Sequence, residues 1–237
     1  MTVDRALVQA IRAALAEHPD PARAAGQQRY LKSSMPHLGR RLPEVRSTVR
    51  EQLAGVAWAD RAAWADTVLA LWDEAAFREE RYAGLAVARH RSAREWQDPE
   101  ALGLYRHLVV TGAWWDLVDE TATHLVGDVL AGHRSEVTPV MRAWAVDDDL
   151  WLRRTAVLCQ IRHRDQTDTA LLHDVIEANL DDPSLWLRKA IGWALRSHAR
   201  VDPDWVRAEV AAAGERMSGL SRREALKHLG ATDSLRP

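Results

Sequence analysis

Leu150-Trp151-Leu152-Arg153-Arg154-Thr155-Ala156-Val157 returns as Leu185-Trp186-Leu187-Arg188-Lys189-Ala190-Ile191, 35 positions later, and each copy follows a run of acidic residues. A period of that length matches one pair of antiparallel helices with its turns, because a helix pair cannot bury its apolar face alone and must stack on a neighbouring copy. The expected fold is therefore all-α, with HEAT-like helical repeats stacked into a curved α-solenoid. A basic pair early in the second helix of each repeat would line a concave basic face. Outward from the repeat, the 3.6-residue apolar period persists, and strand-like alternation is scarce. It predicts thirteen helices between 3–17 and 219–229, among them 78–93, 98–109 and 114–131. Asp20-Pro21, Asp98-Pro99, Asp182-Pro183 and Asp202-Pro203 each read as an N-cap aspartate before a first-turn proline. No linker or low-complexity tract divides the chain, so residues 1–237 are expected to form a single domain.

The chain has 237 residues and a formal net charge of −2, which argues against a strongly basic nucleic-acid binder. The distribution says more than the sum. Residues 1–50 carry nine basic and four acidic side chains and residues 151–200 carry eight and six, whereas residues 101–150 carry three and eight. A fold that brings the basic stretches onto one surface makes that surface cationic. One cysteine, Cys159, cannot form an internal disulfide, and the N-terminus lacks an apolar signal core. Together they predict a cytoplasmic protein. No apolar stretch approaches bilayer length, so no membrane association is expected. Eleven tryptophans against one phenylalanine is a skewed set, and most of the indoles are expected to fill the core.

Within Trp114-Trp115-Asp116-Leu117-Val118-Asp119, residues 115 and 119 are four apart and share one helix face. An indole beside a carboxylate suits a cationic ligand or transition state, since the ring face and the anion both favour positive charge. The same spacing also suits a buried tryptophan next to a solvated aspartate. Asp116 is expected in the first turn, where an anion favours the helix dipole. Arg154 is equally open, because a planar bidentate donor suits a phosphate or a carboxylate. Arg153 and Arg188 suit pairing with the acids that precede each repeat. No Gly-rich phosphate loop or Gly-x-Ser-x-Gly elbow occurs. The ten histidines show no ligand spacing, so neither a metal nor another cofactor is expected; His37, His90, His107, His163 and His198 read as surface or interface residues.

Four ordered motifs then form a pattern: Trp115 with Asp119, Trp151-Leu152-Arg153-Arg154, Ala190-Ile191-Gly192-Trp193-Ala194-Leu195-Arg196, and Gln28-Arg29-Tyr30-Leu31-Lys32-Ser33-Ser34-Met35-Pro36-His37-Leu38-Gly39. Over essentially the whole chain this resembles the AlkD-type DNA alkylation repair family, HEAT-like alkylpurine DNA glycosylases. The resemblance implies that Asp119 is the catalytic carboxylate and that Trp115 and Trp193 form an aromatic cleft around the lesion's deoxyribose. It further implies that Arg154 and Arg196 hold the DNA backbone, with Tyr30 and Lys32 at the DNA-facing edge of the N-terminal helices. His37 departs from the aromatic or apolar residue common at that place. The implied partner is double-stranded DNA containing alkylated purines, handled by a monomer without a cofactor.

Chemistry agrees with one carboxylate. A purine alkylated at N3 or N7 is already cationic and leaves without a general acid, whereas ordinary glycosidases need two carboxyl groups because an alkoxide leaves poorly. The expected activity is monofunctional hydrolysis of the N-glycosidic bond, since no recognised motif supplies an amine for a Schiff base. A non-catalytic DNA-structure binder, or a protein-binding scaffold on the same repeats, is the competing expectation.

Overall fold

The computed structural model describes residues 3–229, and every regular element in them is helical. Two compact units emerge, Met1–Leu104 and Tyr105–Pro237. In the first, α1 (Arg5–Ala16), α2 (Pro21–Leu31), α3 (Leu42–Gln52), α4 (Arg61–Asp73) and α5 (Arg78–Ala88) follow one another. Helix α1 buries Leu7, Val8, Ile11 and Leu15, the one-face spacing that an amphipathic helix requires. It packs on α3, α4 and α5. Burying each such side chain contributes about 1.5–3 kcal/mol before chain entropy is counted.

The boundary between the units falls inside α6 (Leu102–Gly112). Beyond it come α7 (Trp115–Glu120), a π-helical turn (Thr121–Val126), α8 (Gly127–Gly132), α9 (Arg134–Trp144), α10 (Leu150–Leu158), α11 (Thr169–Glu177), α12 (Leu185–His198), α13 (Pro203–Ala213) and α14 (Gly219–Ala225). In one layer α10 packs on α7, on the π turn and on α12, and α12 on α14; in the other, α9 packs on α11. The repeated motif thus lies on α10 and α12, the same layer of successive steps.

Several helix boundaries differ from the sequence expectation. The stretch expected as 78–93 ends at Ala88, and Arg91–Trp96 is a separate 3-10 segment. Region 98–109 opens as a 3-10 turn, Pro99–Ala101. Region 114–131 is helical from Trp115 onward but widens into the π turn. Asp20 and Asp202 cap α2 and α13, and Asp98 caps the 3-10 turn. Asp182 does not cap. Helix α12 begins after Ser184, while the Asp182 carboxylate accepts from the Ser184 amide and from Arg153, partners that hold it ahead of the helix.

The tryptophans also depart from expectation: only Trp64, Trp72, Trp144 and Trp151 are buried, and the other seven are half-buried. Wide indoles here line surfaces as much as they fill the core. His37 and His198 are buried rather than superficial.

The motif at residues 28–39 runs from the end of α2 into a pinned loop over residues 33–39. Glu79, with 0% of its surface exposed, accepts hydrogen bonds from the amides of Leu38 and Gly39, each at 2.9 Å, and of Arg40 at 3.1 Å. Leu38 in turn accepts from the Asp20 amide at 2.8 Å. Gly39 has φ +87°, and a Cβ there would stand 2.1 Å from the Asp20 carbonyl oxygen, so only glycine fits. Replacing Glu79 by Ala strands three backbone donors, one buried and two half-buried, and is expected to cost about 3 kcal/mol, with Glu79→Gln intermediate because one acceptor oxygen remains. Urea denaturation checks this, and a Glu79→Ala protein as stable as the parent would contradict it.

Candidate functional site

The second unit brings Asp119 of α7 against Arg154 of α10. Arg154 donates from Nε to Asp119 Oδ1 at 2.7 Å and from Nη2 to Oδ2 at 2.8 Å, a bidentate fork, and from Nη1 to the Trp186 carbonyl at 2.5 Å. Their side chains are only 5% and 15% exposed, respectively for Arg154 and Asp119. The open choice between phosphate and carboxylate for Arg154 is answered in this structure by a carboxylate. Burial pushes the Asp119 carboxyl above its ordinary value, Arg154 pulls it back, and the charge of Asp116 adds to the rise.

Close packing makes the pair possible. Gly127 follows the π turn, and a Cβ there would approach the Cys159 carbonyl oxygen to 2.5 Å, so a glycine lets this stretch lie directly against the end of α10. His163 adds a second tie by donating from Nε2 to the Gly127 carbonyl at 2.9 Å. The π turn begins two residues after Asp119 and changes the helical register at that point, as π turns at functional sites commonly do. Thr123 accompanies it, donating its hydroxyl to the Asp119 carbonyl at 2.7 Å.

Aromatic rings gather on the Arg154 side of the pair. Trp114, the residue before α7, meets Trp186 edge-on at 5.3 Å between centroids, and Trp151 lies 5.6 Å from Trp186 and 6.2 Å from Trp114. The Arg154 guanidinium carbon is 6.0 Å and the Lys189 ammonium 5.9 Å from the Trp186 centroid, within cation–π reach. Trp115 is half-buried one turn ahead of Asp119. Trp193 is half-buried and lines a cavity of about 270 Å³ with Arg154, Lys189, Arg196, Leu220 and Glu224. Arg196 is salt-bridged to Glu224.

Asp119, Arg154, Trp193 and Arg196 are therefore gathered in the second unit. Tyr30 and Lys32 belong to the first. Tyr30 is 75% exposed near the end of α2, and Lys32 is exposed as its left-handed C-cap at φ 51°. Asp116 lies in the first turn of α7, as expected. Sequence reasoning missed Trp114, Trp186 and Glu224 and the Asp119–Arg154 pairing itself, and it gave Lys189 only as a member of the repeated basic pair. One signal was available for that pairing: residues 119 and 154 are 35 apart, the offset of the repeated motif, and residues one repeat apart meet on stacked helices.

A family model described as DNA alkylation repair enzyme matches residues 11–229. A solved structure described as "Predicted DNA alkylation repair enzyme from Enterococcus faecalis" is similar at 24% identity with a TM-score of 0.81, covering 90% of this chain and 97% of that one. A search of curated proteins finds no match. The family match spans most of the chain, and the chain belongs to the DNA alkylation repair enzyme family.

Removing Arg154 leaves a buried carboxylate without its cation. Arg154→Met is expected to lose about 3 kcal/mol or more, and Asp119→Asn less, since an amide still accepts from the guanidinium. A double-mutant cycle in urea checks this, and additive single losses would contradict a direct coupling.

Proposed function

We propose that this member of the DNA alkylation repair enzyme family is a monofunctional DNA glycosylase that hydrolyses the N-glycosidic bond of cationic N3- or N7-alkylated purines in duplex DNA. The observation that carries the reading is Asp119, an ionisable carboxylate only 15% exposed and held in one orientation by two hydrogen bonds from Arg154, whose guanidinium in turn lies 6.0 Å from the Trp186 ring centroid. As the bond from C1′ to the base stretches, its electron pair neutralises the departing purine and positive charge appears on the sugar. A fixed anion lowers that barrier electrostatically because it needs no reorganisation when the charge appears. Water then bonds to C1′, its proton passes to Asp119 or solvent, and an abasic site remains.

Arg154 is the positioning residue. Burial alone would favour the neutral acid, and the guanidinium keeps the carboxylate charged and aimed. Trp115 and Trp193 contribute ring faces toward the sugar cation, worth about 0.5–2 kcal/mol each depending on how dry the site is. Arg196 exchanges Glu224 for a DNA phosphate, and Lys189 adds a second cation beside it. Tyr30 and Lys32 contribute from the N-terminal helices. On this reading residues 1–237 act as one monomeric unit on chromosomal DNA inside the cell. No helix among the described residues is long and apolar enough to cross a membrane.

Asp119→Asn is expected to slow release of 7-methylguanine from methylated duplex DNA by about 100-fold or more, with duplex affinity little changed because the substitution is nearly isosteric. Single-turnover release and gel-shift binding measure the two separately. Because the ionised carboxylate acts and its pKa is raised, the rate falls as the pH drops through a midpoint above the ordinary value of about 3.9. Undiminished excision by Asp119→Asn removes that residue from the mechanism, and no base release from the parent protein overturns the enzyme reading.

A further inference from the structure

A second, larger cleft of about 820 Å³ lies in the same unit, walled by the last turns of α10 and α12 and by residues leading into α11. Its charge is one-sided. Arg162, Arg164 and Arg200 line it, and no acidic side chain does so among the described residues. Arg162 is tied to Asp128 at 3.1 Å. The guanidinium groups of Arg164 and Arg200 are exposed and have no hydrogen bond or ion pair among the described residues. Elsewhere in this unit Arg153, Arg154, Arg196 and Arg216 are each paired with a carboxylate.

Arg164 is also held in an uncommon backbone state. Its φ is +52°, and its carbonyl accepts from both the amide and the hydroxyl of Thr167, at 3.2 and 2.7 Å. A left-handed arginine is a local strain that the loop maintains. Beneath the arginines the cleft offers Ile161, Leu172 and the ring of Trp193, the same indole that borders the smaller cavity beside Arg154. His198 lines it too. That histidine is 6% exposed, and neither ring nitrogen has a partner among the described residues, a rare condition for a buried polar group.

We propose that this cleft binds a nucleoside phosphate unit, with the phosphate on Arg164 and Arg200 and the ring against the apolar wall that includes Trp193. Guanidinium forks match phosphate oxygens, an indole face accepts a base or sugar, and the volume is that of a small-ligand site. The unit is either a nucleotide of a DNA strand or a free nucleotide. Both present the same chemistry, and the phosphate-binding pair Arg164 and Arg200 has no part in the chemistry proposed at Asp119, although the Trp193 indole borders both cavities.

Calorimetric titration of the full-length protein with dAMP tests this, alongside deoxyadenosine and inorganic phosphate. Expected are saturable dAMP binding, weaker binding of phosphate alone, none of deoxyadenosine, and a loss of about tenfold or more in the Arg164→Gln/Arg200→Gln protein. Both substitutions are at exposed side chains, and circular dichroism verifies that the variant is folded. Displacement of dAMP by unmodified duplex DNA assigns the cleft to a strand nucleotide, and simultaneous binding assigns it to a free nucleotide; either result supports the proposal. Absence of dAMP binding at millimolar concentration, or binding that the double substitution leaves unchanged, overturns it. The titration involves no base release, so its failure is distinguishable from failure of the glycosylase reading.

Discussion

The candidate site depends on one ion pair between neighbouring helical steps. Asp119 comes from α7 and Arg154 from α10, and neither side chain has enough water around it to stand charged alone. Two parallel hydrogen bonds let both remain ionised. They also remove the freedom of a carboxylate to turn away, which is what electrostatic catalysis asks of an anion. The raised pKa of Asp119 and the short contact to Arg154 are two sides of the same burial: desolvation opposes the charge and the guanidinium restores it.

The pair belongs to a wider set of polar contacts at nearly the same sequence separation. Asn179 donates to the Ala145 carbonyl across 34 residues, Arg162 to Asp128 across 34, His163 to Gly127 across 36, Arg216 to Asp181 across 35 and Ser221 to the Arg188 carbonyl across 33. Such spacing follows from stacking: when each step has the same length, a side chain finds its counterpart one step back. Exposed members of this set add little stability individually. Their use is in register, since a helix displaced by one turn would lose its own contact with the step before it.

Aromatic placement follows the same logic with a different outcome. Trp151 and Trp186 occupy equivalent positions in the repeated motif, so stacking brings their rings to 5.6 Å. Trp114 closes the group from outside the repeat. The equivalents Arg154 and Lys189 then both face Trp186, one drawn down to Asp119 and the other left exposed. A single repeated sequence thereby supplies a buried, carboxylate-paired cation and an exposed cation, at 6.0 and 5.9 Å from one indole ring centroid.

Much of this could be read without coordinates. The 3.6-residue period and the repeated Leu-Trp-Leu-Arg motif specify helices, their approximate limits and the layer on which the basic residues lie, because burial of one helix face is a local consequence of side-chain order. The sequence also singled out Asp119, with an indole one turn away. Local order does not specify which charges meet. Whether Arg154 reached a phosphate or a carboxylate, whether Asp182 capped a helix or held Arg153, and whether seven indoles stayed half-exposed were decided by distances between helices. Those distances depend on close approaches such as Gly127 against Cys159, where the absence of a single carbon sets how near two steps of the stack can come.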